Sequence, residues 1–132
     1  MRHCINTIAF PESVGVYVVY ANACNIKPLY VGKAARQTLS KRWKSQHLQP
    51  RAGGSALRRT LGIHLGLVRE KLKRPERYYS PEIEEAITIY LRSCFIELLE
   101  CANAVEAAEL ELKSIRTLNP LLNISGRSNG VT

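Results

Sequence analysis

Two short apolar segments near the start of the chain predict a pair of β-strands. Residues 14–20 (VGVYVVY) and 28–33 (PLYVGK) are rich in β-branched and aromatic side chains, and the loop 21–27 separates them. Antiparallel pairing is the simplest way to join two strands through so short a loop. We therefore expect a hairpin at the start of the fold.

The alternation of side chains along these strands predicts which residues meet. Successive side chains point to opposite faces, so Gly15, Tyr17 and Val19 should share one face. Tyr17 and Tyr30 should then meet across the hairpin. The opposite face should carry Val16, Val18 and Tyr20.

The next two segments have the composition of helices. Residues 38–47 predict a helix that is capped by Thr38 or Ser40 and ends before Pro50. Ser55 can cap a second helix, although the glycines at 62 and 66 weaken it by about 1 kcal/mol each, so that it can break there. Its apolar positions recur at helical spacing: Leu57, Leu61, Leu65, Val68 and Leu72. Residues 71–77 predict a basic loop that contains a proline.

The second half of the chain predicts two helices around a third strand. Ser80-Pro81-Glu82 is a good helix start, with a cap, a proline at the first position and an acid in the first turn. Residues 93–100 read as a strand, although they also fit a continued helix. A last helix should begin at the cap Asn103 and run to Leu118, before Pro120.

Length and composition fit one globular domain. The chain has 132 residues, of which 45% are hydrophobic and 23% are charged. No apolar run approaches the roughly 20 residues of a membrane span, and the N-terminus lacks the apolar segment of a signal peptide. We expect a cytoplasmic protein with one domain over residues 1–125 and a loose tail over residues 126–132. The four cysteines lack the clustered spacing of a zinc site, so reduced thiols are expected.

The net charge of +8 is unevenly distributed. No acidic residue lies between Glu12 and Glu70, and glutamates dominate from Glu82 to Glu111. Such a basic half favours a polyanionic partner, although a merely solvated basic surface is the alternative. The basic residues of the acid-free stretch are Lys27, Lys33, Arg36, Lys41, Arg42, Lys44, Arg51, Arg58, Arg59 and Arg69.

Glu111 stands out in the last helix. At about 100° per residue it projects into an apolar arc, where a carboxylate needs a cation, a donor or a changed pKa. A buried salt bridge to an arginine and a ligand for a hard divalent cation are both open on this evidence. The arc consists of Val105, Ala108, Leu112, Ile115 and Leu118.

Four elements in this order resemble the GIY-YIG nuclease family. Gly15-Val16-Tyr17 and Tyr30-Val31-Gly32 match the two halves of the signature with valine for isoleucine, and Arg42 and Glu111 extend the match. The resemblance, which also covers excinuclease C and homing endonuclease catalytic domains, implies an α+β fold with a three-stranded antiparallel sheet flanked by helices. It also implies phosphodiester hydrolysis with one divalent ion, Mg²⁺ or Mn²⁺.

The resemblance also implies roles for individual residues. Tyr17 would be the general base. A phenol has an ordinary pKa of about 10, so it would need cationic help, for which Lys33 and the metal are the candidates. Tyr30 would hold the nucleophile or the phosphate, and Arg42 would stabilise the charge of the transition state. The remaining two assignments are Glu111 as the metal ligand and Asn123 as the residue that closes the site.

One position departs from the family pattern. Many members carry a histidine one helical turn after the arginine, whereas here that position is Gln46 and His47 follows it. The extra residue rotates a side chain by about 100° on an ideal helix. We therefore expect His47 to be inert or auxiliary, although a shifted helix start would still bring it into the site.

These observations favour a DNA endonuclease of low intrinsic specificity. The chain is too short for a separate recognition domain, so a protein partner, homodimerisation or an unusual DNA structure would supply specificity. A nucleic-acid-binding module without turnover and an RNA-directed nuclease are the alternatives. The expected contacts to the nucleic acid backbone are Arg36, Lys41, Lys44, Arg58 and Arg59.

Overall fold

The computed structural model describes residues 1–50, 55–69 and 78–123. The predicted basic loop 71–77, the tail 126–132, Arg51 and Leu72 lie outside the described residues. The strands are β1 (His3–Cys4), β2 (Gly15–Tyr20), β3 (Tyr30–Ala34) and β4 (Phe95–Glu100). The helices are α1 (Leu39–Arg42), which continues as a π-helical segment (Trp43–His47), α2 (Ala56–His64), α3 (Pro81–Ser93) and α4 (Ala104–Leu118).

The described strands form one antiparallel sheet in the order β1-β4-β2-β3. The predicted hairpin of β2 and β3 and the third strand β4 are confirmed, as is the α+β class. The predicted count of three is one short, because His3 and Cys4 also pair with Ile96 and Phe95. Two residues are too few to show an alternating pattern, so the sequence carries no signal for β1.

The central strand β2 is buried along its whole length and has helices on both sides. Tyr17 and Val19 face the larger core, and Val16, Val18 and Tyr20 face the smaller one, as the alternation predicts. The larger core is built with apolar side chains of three helices: Leu39, Trp43, Leu57, Leu61, Ile87 and Leu91. Ile115 of α4 packs against the opposite face. The sheet therefore separates α1, α2 and α3 from α4.

Three predicted helix starts are confirmed by capping hydrogen bonds, whereas Ser80 precedes α3 as predicted but its side chain makes no capping hydrogen bond. Thr38, Ser55 and Asn103 each accept a hydrogen bond from the backbone N–H three residues later. Helix α2 ends at His64, just before Gly66, whose φ of 73° lies in the left-handed region. The break that the two glycines suggest is therefore present, and Leu65 and Val68 lie beyond the helix.

The buried face of α4 is narrower than the predicted apolar arc. Ile115 is buried, but Val105 is 68% exposed and Leu112 is 41% exposed. Ala107, outside the predicted arc, is fully buried instead. The prediction is wrong for Val105 and Leu112 because, among the described elements, α4 packs mainly against β2 and β3, and these two strands cover one side of the helix.

The described residues bear on the predictions about the cysteines and about membrane spans. All four cysteines are free. Burial raises the pKa of the Cys94 thiol to about 12, so this side chain behaves as a small apolar group. None of the described helices combines the length and the apolar character that crossing a membrane requires.

Candidate active site

A cleft of about 430 Å³ runs along β3. Six of the residues predicted for the site line this one cavity, and they come from β2, β3, the loop after β3, α1 and α4. They are Tyr17, Tyr30, Lys33, Arg36, Arg42 and Glu111. Residues separated by up to 94 positions in sequence thus meet at one place because the sheet brings β3 between α1 and α4.

The glycine of β3 makes room for a tyrosine of β2. Tyr17 pairs directly with Gly32 across the two strands. A Cβ atom at Gly32 would overlap the Tyr17 ring, so any other residue here would displace the phenol. The rings of Tyr17 and Tyr30 stack with 6.4 Å between centroids, as the strand alternation predicts.

The two tyrosines differ in how accessible they are. Tyr17 is fully buried, and burial together with the neighbouring Tyr30 raises the pKa of its phenol well above the ordinary value. Tyr30 is half-buried in the cleft wall. Burial also raises the pKa of Tyr30, while the Arg42 charge opposes that rise. No hydrogen bond among the described residues involves the Tyr30 hydroxyl.

His47 reaches Tyr17, which is the arrangement that the sequence leaves open as an alternative. Its Nε2 atom lies 2.5 Å from the Tyr17 hydroxyl oxygen. The segment Trp43–His47 is π-helical, and the Leu48 N–H bonds to the Trp43 carbonyl five residues earlier at 2.9 Å. A π turn holds more residues than an α turn, so the inserted residue does not rotate His47 away from the site. The outward rotation expected on an ideal α-helix is therefore wrong, whereas the role of His47 stays a prediction.

The far side of the His47 ring contacts a residue that the sequence marks only as a helix cap. His47 Nδ1 lies 2.8 Å from Ser55 Oγ, and both side chains are fully buried. Burial and the charges of Arg42 and Arg58 lower the pKa of His47 to about 3. The imidazole is therefore neutral at physiological pH.

Gln46 supports the arginine of the cleft. Its side-chain oxygen accepts a hydrogen bond from Arg42 Nη1. The Arg42 Nε atom is buried and has no hydrogen-bond partner among the described residues. An unsatisfied donor on a cleft arginine fits an oxygen of a bound anion, and the planar guanidinium matches a phosphate. The family resemblance alone gives Gln46 no role.

Glu111 forms an ion pair with a lysine rather than with an arginine. Its Oε1 atom lies 3.5 Å from Lys33 Nζ, with side chains 23% and 40% exposed, respectively. A pair so accessible to solvent contributes little to stability. Glu111 therefore lines the cleft as a carboxylate that a stronger cation could engage.

Asn123 anchors the edge strand from outside. Its side-chain amide donates to the Val31 carbonyl and accepts from the Val31 N–H, both at 2.8 Å. The backbone of Leu121 and Leu122 also donates to Pro28 and Leu29. The amide thus occupies the place of a further strand beside β3, whose residues Tyr30 and Lys33 line the cleft. In this structure Asn123 holds the cleft wall and does not line the cavity.

The model of the family described as GIY-YIG catalytic domain matches residues 9–132. The chain belongs to the GIY-YIG nuclease family. Its enzyme class is that of a GIY-YIG-type endonuclease, and the cleft is where the elements of the GIY-YIG signature meet. No curated protein matches the chain.

Two solved structures of a GIY-YIG domain resemble the chain. One is the N-terminal endonuclease domain of UvrC from Thermotoga maritima bound to magnesium, its catalytic divalent cation. It is 25% identical, with a TM-score of 0.45 over 89% of this chain and 90% of that one. A point variant of the same domain, also bound to its catalytic divalent cation, is 24% identical. Its TM-score is 0.49 over 89% of each chain.

The basic residues predicted to contact nucleic acid divide into two groups. Arg36, Lys41 and Lys44 are exposed, and Arg59 is half-buried. Arg58 is only 2% exposed, and its guanidinium is fully engaged inside the GIY-YIG domain. The prediction that Arg58 contacts a nucleic acid backbone is wrong, because a buried helix face cannot be told from an exposed one by its charge.

A buried ion pair explains the position of Arg58. Its Nη2 and Nε atoms donate to Glu84 Oε1 at 2.8 and 3.1 Å, and Nη2 also donates to the Glu84 carbonyl at 2.7 Å. Its Nη1 atom donates to the His47 carbonyl at 3.0 Å. The second carboxylate oxygen of Glu84 accepts from the Tyr79 N–H at 2.7 Å. This network ties α2 and α3 to the segment that carries His47.

Proposed function

We propose that this chain is a divalent-metal-dependent endonuclease that hydrolyses DNA phosphodiester bonds in the cleft along β3. The observation that carries the proposal is the convergence of two phenols, an arginine, a lysine and a carboxylate on one cavity. Each matches a need of phosphodiester hydrolysis, namely proton removal, charge stabilisation and cation binding. A histidine rotated out of the site would favour a nucleic-acid-binding module without turnover, and the contact of His47 with Tyr17 weighs against that alternative.

The donor set of the cleft fits one Mg²⁺ or Mn²⁺ ion. Among the described residues, no three His, Cys, Asp or Glu side chains are grouped as a metal site. Magnesium is often held by one or two carboxylates, with water and substrate phosphates as the other ligands. Glu111 would supply the carboxylate. When bound, the ion would polarise the scissile phosphate and neutralise charge on the leaving oxygen.

Arg42 would stabilise the pentavalent transition state. Gln46 fixes one of its nitrogens, and the unpaired Nε atom remains as a donor for a phosphate oxygen. A donor held in place before the reaction needs no reorganisation as negative charge develops. The charge of Arg42 also opposes the rise in the pKa of Tyr30.

We assign proton removal to Tyr30 rather than to Tyr17. A general base must lie within hydrogen-bond reach of the attacking water. Of the two tyrosines that line the cleft, Tyr17 is bonded to His47, whereas the Tyr30 hydroxyl has no hydrogen-bond partner among the described residues. Tyr30 would first have to lose its phenol proton to solvent, which the Arg42 charge favours against the effect of burial. The resulting phenolate would take a proton from water as the water oxygen bonds to phosphorus and the bond to the leaving oxygen breaks. The buried Tyr17 would act as a hydrogen-bond donor at the base of the cleft.

Lys33 would exchange partners when substrate binds. In the free protein its ammonium lies 3.5 Å from the Glu111 carboxylate. Lys33 would leave the Glu111 carboxylate available to hold the cation and would pair with a substrate phosphate in the same cleft. Lys33 would then neutralise the substrate without leaving the cavity.

A nucleic acid substrate, the class to which DNA belongs, is supported by charge. Arg36, Lys41 and Lys44 are exposed, and Arg36 also lines the cleft. Contacts of this kind bind phosphates without reading base sequence. Specificity would then come from DNA structure, a protein partner or homodimerisation.

A cleavage assay on labelled plasmid, branched DNA and RNA, with Mg²⁺ or with chelator, tests the proposal. We expect Mg²⁺-dependent cuts in DNA and their loss in Arg42→Ala. Arg116→Ala, on the exposed side of α4, is the matched control and should cleave normally. Tight DNA binding without cleavage would instead indicate an inactive binding module, and cleavage of RNA alone would indicate an RNA-directed nuclease.

A further inference from the structure

A chain of buried hydrogen bonds lies behind Tyr17 and leads away from the cleft. It runs from the Tyr17 hydroxyl through both nitrogens of His47 to the Ser55 hydroxyl. We propose that Ser55 is a positioning residue that fixes the tautomer of His47 and thereby turns the hydroxyl proton of Tyr17 toward the cleft. The effect on turnover rests on the proposed function, whereas the tautomer does not.

The hydrogen-bond inventory of Ser55 supports this direction. Ser55 Oγ already accepts the N–H of Arg58 at 3.2 Å as the cap of α2. The hydroxyl still carries one proton, and the acceptor that the described residues offer it is His47 Nδ1 at 2.8 Å. Leaving a buried donor without an acceptor costs about 1–3 kcal/mol. Ser55 should therefore donate to His47.

The state of one imidazole nitrogen determines the other. A neutral imidazole carries one N–H, so an accepting Nδ1 places the proton on Nε2. Nε2 then donates to the Tyr17 oxygen 2.5 Å away. The Tyr17 proton must point elsewhere, and the open direction is the cleft that Tyr17 lines. There it can donate to a phosphate oxygen or to the oxygen of Tyr30.

The opposite tautomer would have the opposite effect. With the proton on Nδ1, His47 would donate to Ser55 and accept the proton of Tyr17 at Nε2. The cleft would then lose a donor, although every atom stayed in the same place. Whether the side chain at position 55 can donate or can only accept therefore sets the direction of both hydrogen bonds, from residue 55 to His47 and from His47 to Tyr17.

The surroundings of His47 keep the ring in one position. Arg58 donates to the His47 carbonyl at 3.0 Å and is itself held by Glu84. Trp43 packs edge-on against the His47 ring, with centroids 4.7 Å apart. The ring thus has little freedom to exchange its two nitrogens, and the tautomer is left to the hydrogen bonds.

Two substitutions of Ser55 separate its proton from its role as a helix cap. Serine, threonine and aspartate all cap helices well. Ser55→Thr retains the hydroxyl proton, whereas Ser55→Asp offers only acceptor oxygens and should place a proton on His47 Nδ1. Long-range ¹H–¹⁵N NMR of the imidazole distinguishes the nitrogens directly. We expect the Nε2–H form in the unmodified protein and in Ser55→Thr, and a protonated Nδ1 in Ser55→Asp.

Single-turnover cleavage of DNA by the same proteins tests the consequence for catalysis. Ser55→Asp should lower the rate about tenfold to a hundredfold with substrate affinity unchanged, as expected for the loss of one hydrogen bond to a charged group. Ser55→Thr should restore most of the rate. An unchanged rate in Ser55→Asp, with the tautomer reversed, would overturn the catalytic part of the proposal.

The spectrum of the unmodified protein decides the structural part without any variant. An Nδ1–H signal there would overturn the assignment of Ser55, even if Ser55→Asp failed to fold. A protein that shows the Nε2–H form but cleaves no nucleic acid would leave the tautomer assignment standing and would contradict the proposed function instead. The two failures are therefore distinguishable.

Discussion

His47 Nε2 lies 2.5 Å from the hydroxyl oxygen of Tyr17, and the two rings meet edge to face at 68°. This contact depends on the π turn that precedes His47, because an ideal α-helix would rotate the side chain by about 100°. The same turn leaves Gln46 free to hold Arg42. The residue inserted before His47 thus allows two contacts in the site, that of His47 with Tyr17 and that of Gln46 with Arg42.

The two tyrosines should respond differently to removal of their hydroxyls. Tyr30→Phe should lower the single-turnover rate by about a hundredfold to ten-thousandfold, the loss typical of general-base help. Tyr17→Phe should lower it less but reduce stability by about 1–3 kcal/mol, because the buried His47 loses its partner. Rates and urea unfolding of both variants check this. A larger rate loss in Tyr17→Phe would return the role of base to Tyr17.

Much of this fold could be predicted from sequence because its signals are local. The caps Thr38, Ser55 and Asn103 and the alternation along β2 depend on neighbouring residues, and all are confirmed. The sequence leaves the position of His47 open between two outcomes, since a π turn has no sequence signature of its own. The π-helical segment begins at Trp43, whose ring packs between Phe10 and Tyr17, and such long-range contacts are not visible in the local sequence.

Stability should fall in mild acid because of His47. Its pKa is about 6.5 when unfolded and is lowered to about 3 in the fold by burial and two nearby arginines. The unfolded chain therefore binds the proton first, and stability declines as the pH falls below about 6.5. Between pH 7 and pH 5 this single group should remove about 2 kcal/mol from the free energy of unfolding.

Urea unfolding at a series of pH values measures this effect. His47→Gln should be less stable at pH 7 but should lack the decline, since glutamine does not titrate. His64→Gln, which changes an exposed histidine, is the control and should show the same decline in stability as the unmodified protein. Parallel pH dependences for the unmodified protein and His47→Gln would show that the histidine is not buried in its neutral form.

Arg58 and Arg59 should differ sharply despite their adjacency. Arg58→Ala leaves the Glu84 carboxylate buried without its partner, which costs about 3–5 kcal/mol for pairs of this kind. The Arg59 side chain is half-buried and takes part in no ion pair among the described residues. Arg59→Ala should therefore change the free energy of unfolding by less than about 0.5 kcal/mol. Urea unfolding of both variants checks this. Equal losses would contradict the buried position of Arg58.

The difference between these arginines shows where sequence reasoning reaches its limit. Both lie in an acid-free stretch that correctly indicates a basic protein. The partner of Arg58 is Glu84, 26 residues away on another helix, and only the tertiary fold brings them together. The role of Ser55 as a cap can be predicted from sequence because the cap bonds to a residue three positions later. Its contact with His47 depends on the tertiary fold and cannot be predicted in this way.

DNA binding should depend strongly on salt. About six phosphate contacts imply a loss of roughly a thousandfold in affinity between 50 and 200 mM salt. Lys41→Ala combined with Lys44→Ala should reduce the slope of log K against log salt by about 1.8. Lys113→Ala, on the exposed side of α4, is the control and should leave this slope unchanged. Fluorescence anisotropy with a labelled duplex measures the slope, and a flat response would argue against nucleic acid as the main partner.

The most direct test of the central claim is the Mg²⁺ dependence of DNA cleavage in Glu111→Gln. This change keeps the size of the side chain but removes the one carboxylate that lines the cleft among the described residues. We expect cleavage to be lost at every Mg²⁺ concentration, with DNA binding and folding retained, while Glu109→Gln, which changes an exposed residue of the same helix, cleaves normally. Unchanged Mg²⁺-dependent cleavage by Glu111→Gln would contradict the account of this cleft as a metal-dependent nuclease site.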